Sequence, residues 1–413
     1  MIRARFCLPL LLTLPAGLAA QPCTKPGWNP LAPPVIVAQA QLLNVKLQGA
    51  MDEAVPAPLQ VQILALKDAL ATYTLGQLEC VPANADTTSV ETTLAGPLSA
   101  NQPKVQQTSD PNKPPQLDQI YGSNLRVKVT RPANEPQLLL VEFNFGIACG
   151  FDSMLLGYEE SGGAWQQVLR WQSPAYDTVI GAFGDFFDYQ VLPQAGSKGW
   201  LVAVAHGMPW CTSNMSAFDV DLLEPSIGGQ AQQTLFDRKL DYRRDTDPVM
   251  NAEPGGFELR MTGSSIDINT ILRPVIYRFQ LEGNQLIRVQ PIAMNGRDFV
   301  DEWLESPWDD ASRWSAAAGL APLKQVHEKI ASLRGSDAKD SPLFTFGPVR
   351  GCTDAKARYQ VELDEEWVDV KGNSRPDRPT YFQIEDGKNS FTMLSAAANT
   401  DPHCTGADIM PKK

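Results

Sequence analysis

The strongest constraint on the fold is a long series of short segments in which apolar and polar residues alternate. Leu125–Val129 alternates cleanly, and similar segments recur between residues 121 and 294, separated by turn-forming clusters such as Ser161-Gly162-Gly163. Alternation with period two is typical of half-buried strands, and short turns favour pairing between strands that are neighbours in sequence. The sequence therefore predicts a mainly β chain with helical additions (α+β). We expect an antiparallel β meander, arranged as an irregular or partial β-propeller, with a β-sandwich as the alternative.

Helical patterns flank this β-rich region. Leu59, Ile63, Leu66, Leu70 and Tyr73 recur at steps of four and three, which predicts one buried helix face. A second apolar face includes Phe299 and Trp303, and the acidic residues Asp298, Asp301, Glu302 and Glu305 are expected opposite it, in solvent. Ser306 is predicted to be the N-cap of a further helix that starts with Pro307.

The predicted organisation has six parts. In chain order these are a signal peptide (1–20), an N-terminal helical segment (21–100), a Pro/Gln-rich linker (101–120), a β-rich domain (121–294), a helical insertion (295–340) and a C-terminal β segment (341–413).

The first twenty residues have the composition of a cleavable leader. Arg3 and Arg5 precede the apolar stretch Phe6–Leu14, and small residues follow at Ala16–Ala20. The apolar stretch is shorter than the roughly 18 residues that a transmembrane helix needs, and no later segment reaches that length. We expect export to the periplasm or the cell exterior, with no transmembrane segment.

Six cysteines follow the leader: Cys23, Cys80, Cys149, Cys211, Cys352 and Cys404. An even number of cysteines in an exported chain indicates disulfides, and the absence of a C-x-x-C pair argues against redox or zinc chemistry. Six cysteines allow fifteen connectivities. Nearest-neighbour pairing, Cys23–Cys80, Cys149–Cys211 and Cys352–Cys404, is favoured because each pair falls within one compositional segment.

The charge balance limits the partners. The formal net charge is -12, which disfavours binding to nucleic acid or to anionic membrane surfaces. An unidentified protein or a glycan remains the expected ligand, and the sequence indicates no oligomeric state.

Residues that could carry chemistry are few. The chain has three histidines and lacks the G-x-S-x-G, H-E-x-x-H, P-loop and G-x-G-x-x-G patterns. Asp185 and Asp188 lie among aromatic residues, and a glycosidase needs only two carboxylates about 5–10 Å apart. His206 is the third catalytic candidate, at the predicted end of a strand that enters a loop, and Tyr189 and Trp210 are candidate binding residues.

No metal or other cofactor is predicted. Residues 369–377 are similar in frame to the calcium loops of FG-GAP-type propeller repeats. Lys371 stands where that resemblance requires an oxygen ligand, so a plain Gly-Asn turn is the preferred interpretation.

Three functional hypotheses follow. The leading one is an exported, non-catalytic binding or structural protein on a disulfide-supported β scaffold. The alternative is a secreted hydrolase that acts on carbohydrate through paired carboxylates. The third is an assembly component that docks on a partner through residues 21–100.

Overall fold

The computed structural model describes residues 33–44, 56–100, 121–147, 150–173, 186–193, 199–209, 215–226, 231–243, 248–270, 272–289, 293, 295–334, 342–367, 378–387 and 390–409. The predicted signal peptide, linker and 369–377 turn lie outside these residues, as do Cys23, Cys149, Asp185, Trp210 and Cys211.

Helices occupy two regions of the described part of the chain, within residues 33–100 and within residues 296–334. They are α1 (Pro33–Leu43), α2 (Ala57–Leu78), α3 (Thr87–Ala100), α4 (Gly296–Glu305), α5 (Trp308–Arg313) and α6 (Leu320–Arg334). The strands are β1 (Arg126–Thr130), β2 (Leu138–Ile147), β3 (Gly150–Ser161), β4 (Ala164–Gln172), β5 (Phe187–Pro193), β6 (Trp200–Pro209), β7 (Met215–Glu224), β8 (Gln233–Arg243), β9 (Val249–Glu253), β10 (Gly256–Ser264), β11 (Leu272–Glu282), β12 (Gln285–Arg288), β13 (Leu343–Gly351), β14 (Arg358–Glu366), β15 (Thr380–Gly387) and β16 (Ser390–Ala397).

These strands form four antiparallel meanders of four strands each: meander I (β1–β4), meander II (β5–β8), meander III (β9–β12) and meander IV (β13–β16). Meanders II and III join into one eight-stranded sheet through a single register pair, Thr262 with Arg243. The predicted mainly β, antiparallel architecture is confirmed. Four-stranded antiparallel units that follow one another along the chain are consistent with the predicted irregular or partial propeller.

Tight turns connect neighbouring strands and fix their register. Between β3 and β4, Gly162 and Gly163 have φ values of 62° and 86°, and Ser161 pairs directly with Ala164. A two-residue hairpin loop with positive φ at both positions strongly favours glycine. The local sequence therefore selects antiparallel pairing here.

The meanders pack through alternate faces of their strands. On β6, Trp200, Val202 and Val204 lie in the core shared with meander I, whereas Leu201 and Ala203 lie in the core shared with meander III. Helices α4–α6 cover meander IV and complete a further core. Since side chains alternate along a strand, His206 falls on the side of β6 that faces meander I.

Helices α1–α3 share a core with meander I. The five residues that predicted a buried helix face, Leu59, Ile63, Leu66, Leu70 and Tyr73, are all buried along α2. They pack in one cluster with Phe143 and Leu156 of meander I. No helix among the described residues combines the length and the apolarity needed to cross a membrane.

The acidic side of α4 is not in solvent, so that prediction was wrong. Asp301 and Glu302 are buried, because two arginines of meander III pack against this side of the helix. The Arg273 guanidinium lies 2.9 Å from the Asp301 carboxylate and 2.6 Å from that of Glu302, and Arg288 also pairs with Glu302.

The predicted role of Ser306 was also wrong. Ser306 is the C-cap of α4, and its Oγ accepts a hydrogen bond from Arg288 Nη1 at 2.9 Å. Helix α5 starts after Pro307 without a side-chain cap. The Ser306 hydroxyl therefore accepts a hydrogen bond from a buried guanidinium and does not cap the N-terminus of α5.

One of the three predicted disulfides is confirmed in full. Cys352, just after β13, is bonded to Cys404 in the C-terminal segment. Cys80 is also disulfide-bonded, and its partner is not among the described residues.

Candidate functional site

Two neighbouring meanders form a polar cluster at one end of their interface. Along β2 the residues facing meander II change from Leu138 and Leu140 to Glu142, and along β6 the residues facing meander I change from Val204 to His206. Trp171 on β4 contacts His206, with ring centroids 4.9 Å apart. The apolar packing of this interface therefore ends in ionisable and aromatic groups.

Three of the candidate residues come together here. Asp188 and Tyr189 lie on β5, and His206 lies on the adjacent β6, where it pairs with Phe187. Asp185 and Trp210, the other two candidates, lie outside the described residues. His206 does not enter a loop as predicted, because β6 continues to Pro209.

A pair of carboxyl groups spans the two meanders. Glu142 is buried on β2, and Asp188 is half-buried on β5. Burial raises the pKa of Glu142, and the negative charge of Asp188 raises it further against the opposing effects of Asn144 and Lys128. Burial also raises the pKa of Asp188, again opposed by Lys128. The two carboxyls are therefore electrostatically linked and share one neighbouring ammonium group.

Polar contacts hold Glu142 in place. Asn144 Nδ2 donates a hydrogen bond to Glu142 Oε1 at 2.6 Å, and Asn144 Oδ1 accepts one from Ser153 Oγ at 2.6 Å. The Lys128 ammonium on β1 lies 3.7 Å from the Glu142 carboxylate. Three adjacent strands of meander I thus orient one carboxyl group.

Aromatic side chains line the β5 side of the cluster. Phe187 and Tyr189 are half-buried, with ring centroids 5.9 Å apart. The hydroxyls of Tyr189 and Thr130 are hydrogen-bonded at 2.7 Å, and burial raises the pKa of Tyr189 to about 12. Tyr189 therefore stays a neutral phenol that is fixed against meander I.

His206 has a packed position behind these residues. Only 2% of its surface is exposed, and its Nε2 lies 3.5 Å from the Asp219 carboxylate. Trp171 Nε1 donates to Asp221 Oδ2 at 2.7 Å, and burial raises the pKa of that carboxyl. His206 therefore packs against the Trp171 indole at the interface between meanders I and II.

Sequence reasoning missed Glu142, Asp219 and Asp221. A signal was available, because these carboxylates stand at every second position of predicted strands, in line with apolar residues on the same buried face. In the parts of the chain that the structure describes, no group of three or more His, Cys, Asp or Glu side chains is placed to hold a metal ion.

Comparisons with known proteins give remote structural likenesses only. No protein-family model matches the sequence, and no curated protein matches it either. The GH93 α-L-arabinofuranosidase of Fusarium graminearum is similar at 8% identity, over 65% of this chain and 66% of that one, with a TM-score of 0.26. The α-L-arabinanase of Penicillium chrysogenum is similar at 11% identity, over 68% and 69% of the two chains, with a TM-score of 0.25. TM-scores this low do not support a transfer of activity.

Proposed function

We propose that this protein is an exported, non-catalytic binding protein that recognises the hydroxyl groups and ring faces of a glycan at the Glu142–Asp188 cluster. The observation that carries the proposal is the run of half-buried residues Phe187, Asp188 and Tyr189 on β5, in which the Asp188 carboxyl interacts electrostatically with buried Glu142 on β2 and the Tyr189 hydroxyl is hydrogen-bonded to Thr130. Carboxyl groups accept and donate hydrogen bonds to hydroxyls, and exposed aromatic faces pack on sugar rings.

Binding fits the carboxyl pair better than hydrolysis does. Glycoside hydrolysis requires two carboxyl groups that both reach the scissile bond. The Glu142 side chain is only 9% exposed and its Oε1 accepts a hydrogen bond from Asn144, whereas Asp188 is half-buried. A single accessible carboxyl group suits hydrogen bonding to hydroxyls better than cleavage of a glycosidic bond.

Export remains part of the proposal. The Cys352–Cys404 disulfide supports an oxidising compartment, since such bonds rarely persist in a reducing cytosol. The predicted leader at 1–20 supplies a route to that compartment.

The test is glycan binding by the purified protein and by site variants. After a glycan-array screen, calorimetry on the best ligand should give about tenfold weaker binding for Asp188→Asn, because one hydrogen-bonded carboxyl is lost. Glu362→Gln is the matched control: burial also raises the pKa of Glu362, which lies on β14 in meander IV. Equal losses in both variants, or no glycan bound by the wild type, would reject the site.

An assay for released reducing sugar separates binding from hydrolysis. We expect no turnover of the bound glycan by the wild-type protein. Turnover that disappears in Glu142→Gln and in Asp188→Asn would replace this proposal with the carbohydrate hydrolase.

A further inference from the structure

A second polar site lies where meanders II and III meet the helices that cover meander IV. It is a cavity of about 190 Å³, here called the basic cavity. Its lining residues include three arginines, a carboxyl and a hydroxyl: Arg238, Arg288, Arg334, Glu305 and Ser306. This concentration of positive charge stands out in a chain with a formal net charge of -12.

Arg288 is built rigidly into the wall. Its side chain is 1% exposed, it pairs with Glu302, and its guanidinium carbon lies 3.9 Å from the centroid of the Tyr277 ring. Among the described residues, the buried Nε of Arg288 has no hydrogen-bond partner. A buried guanidinium that retains a free donor is a costly arrangement unless something accepts from it.

The other cations are held less completely. Arg238 pairs with Asp310 at 2.5 Å, and Arg334 pairs with Glu305 at 2.9 Å. Lys239 also borders the cavity, but it stands opposite Asp219 of β7 in the strand register, so its side chain lies on the other face of β8 from Arg238. The three arginines come from separate elements, β8, β12 and α6, and they outnumber the one carboxyl group of the lining.

We propose that the basic cavity binds a small tetrahedral oxyanion, either free or as the sulfate or phosphate group of a larger molecule. Guanidinium groups bind such oxyanions through paired N–H donors. The Ser306 hydroxyl, which accepts from Arg288, keeps its own proton to donate. This site is independent of the proposed glycan site.

Glu305 is an internal competitor for the anion. It faces Arg273 of β11 at 3.1 Å and Arg334 of α6, with Asp301 and Glu302 on its own helix. The same cavity is bordered by Arg238 and Lys239 of β8 and by Arg288 of β12. Asp310 of α5 pairs with Arg238. His327 of α6 contacts the Ser306 carbonyl oxygen at 2.9 Å.

The protonation of Glu305 should therefore control the affinity. Burial raises the pKa of Glu305 to about 7, and the charge of Asp301 adds to this rise. Below that pH the carboxyl is neutral, so Arg334 is released toward the cavity. We expect anion binding to strengthen as the pH falls from 8 to 6.

Sulfate is the probe, because its charge does not change over this pH range. Calorimetry on the full protein at constant ionic strength should show one site that binds sulfate several-fold more tightly at pH 6 than at pH 8. Arg334→Gln should weaken binding at pH 6 about tenfold through the loss of one charge-assisted contact. Lys324→Gln, on α6 but outside the cavity lining, is the control and should bind as the wild type does.

Glu305→Gln supplies the decisive comparison. At pH 8 it should bind sulfate as tightly as the wild type does at pH 6, with little further change at pH 6. No sulfate binding by the wild type at either pH, or unchanged binding at pH 6 by Arg334→Gln with a wild-type melting temperature, would overturn the proposal. Comparing phosphate with glycerol phosphate then shows whether the natural ligand is a free anion or a group on a larger molecule. If both bind equally well, the cavity accepts a phosphate group carried by a larger molecule. If only phosphate binds, the ligand is a free anion.

Discussion

At the scale of single residues, the Lys67–Asp152 pair is the most completely buried ion pair in the part of the chain that the structure describes. Lys67 Nζ on α2 lies 2.9 Å from Asp152 Oδ1 on β3, and both side chains are 0% exposed. Burial lowers the pKa of Lys67, while the charge of Asp152 opposes this shift. Taking both charges out of water is expensive, so each depends on the other.

Removing one partner should be far worse than removing both. We predict that Lys67→Met lowers the free energy of unfolding by about 3–5 kcal/mol, because a carboxylate is left buried alone. Lys67→Met with Asp152→Leu should recover most of that loss. Urea denaturation of the two single variants and the double variant measures the coupling.

The matched control is the exposed pair between Arg170 and Asp68. The Asp68 side chain is 67% exposed, so Asp68→Asn should cost about 1 kcal/mol or less. A Lys67→Met variant as stable as Asp68→Asn would contradict the prediction.

Single residues also mark the limit of what the sequence predicts. Leu66 and Leu70 were correctly expected inside, because an apolar stripe specifies its own burial. Asp301 and Glu302 were expected in solvent, since their partner Arg273 is far away in sequence and on another element. The burial of a charged group depends on a tertiary contact that no local pattern contains.

At the scale of elements, an ionic network attaches α4 to meander III. Arg273 on β11 contacts the carboxylates of Asp301, Glu302 and Glu305 along one side of that helix. The pKa of Glu302 falls to about 2, because Arg288 and Arg273 together outweigh the effect of burial. Glu305 shifts in the opposite direction.

The raised pKa of Glu305 predicts a pH dependence of stability. Between about pH 4.5 and pH 7 the folded protein binds a proton here that the unfolded chain does not. The contribution of Glu305 to stability is therefore present below pH 4.5 and is lost as the pH rises to 7. The free energy of unfolding of the wild type, relative to Glu305→Gln, should fall across this range by on the order of 2 kcal/mol.

Denaturant titrations at several pH values measure this difference. Glu328→Gln is the control, since Glu328 is exposed on α6 and pairs only with Lys324 among the described residues. The difference in free energy of unfolding between Glu328→Gln and the wild type should not change with pH. A flat curve for Glu305→Gln as well would contradict the prediction.

The Cys352–Cys404 disulfide fixes the C-terminal segment to meander IV. It closes a loop with a sequence separation of 52, for which the chain-entropy model gives about 4 kcal/mol. We predict that replacing both cysteines by alanine lowers the free energy of unfolding by about this amount. Thr353→Ala, beside the bond, removes only an exposed hydrogen bond to the His403 carbonyl oxygen and should cost about 1 kcal/mol or less. Comparable losses in the two variants would show that the bond contributes little.

Elements were predictable from the sequence where their signals are local. Gly162 and Gly163 specify a hairpin, and alternation specifies strands, so the antiparallel meanders could be expected. The way the meanders stack could not, because either face of β6 is apolar. Of the candidate site, Asp188, Tyr189 and His206 were named from the sequence as candidates, whereas Glu142 comes from a strand more than forty residues earlier and joins them only in the folded chain.

At the scale of the whole molecule, the N-terminal helices are part of the structural core. Leu66 and Leu70 of α2 pack in the same cluster as Phe143, Phe145 and Tyr158 of meander I. Burying one such side chain contributes about 1.5–3 kcal/mol, and a whole domain is stable by only about 5–15 kcal/mol. The helices therefore supply stability that the rest of the chain needs.

This arrangement changes how the docking hypothesis for residues 21–100 has to be tested. We predict that deleting these residues prevents cooperative folding, because one face of meander I would be exposed as a large apolar surface. The truncated chain should aggregate or bind a hydrophobic dye strongly, and it should melt without a sharp transition. If such a chain no longer co-purified with a partner, the result would reflect unfolding and not the loss of a docking surface.

A surface substitution separates the two effects. Val61 on α2 is 65% exposed, so Val61→Ser should leave the melting temperature within about 2 °C of the wild-type value, since surface changes cost about 0.5 kcal/mol or less. If Val61→Ser abolishes co-purification with a partner while it melts normally, α2 is a docking surface as well as part of the core. A truncated chain that is monomeric and melts cooperatively would contradict the prediction. It would show that meander I stays folded when the face that packs against the helices is exposed to solvent.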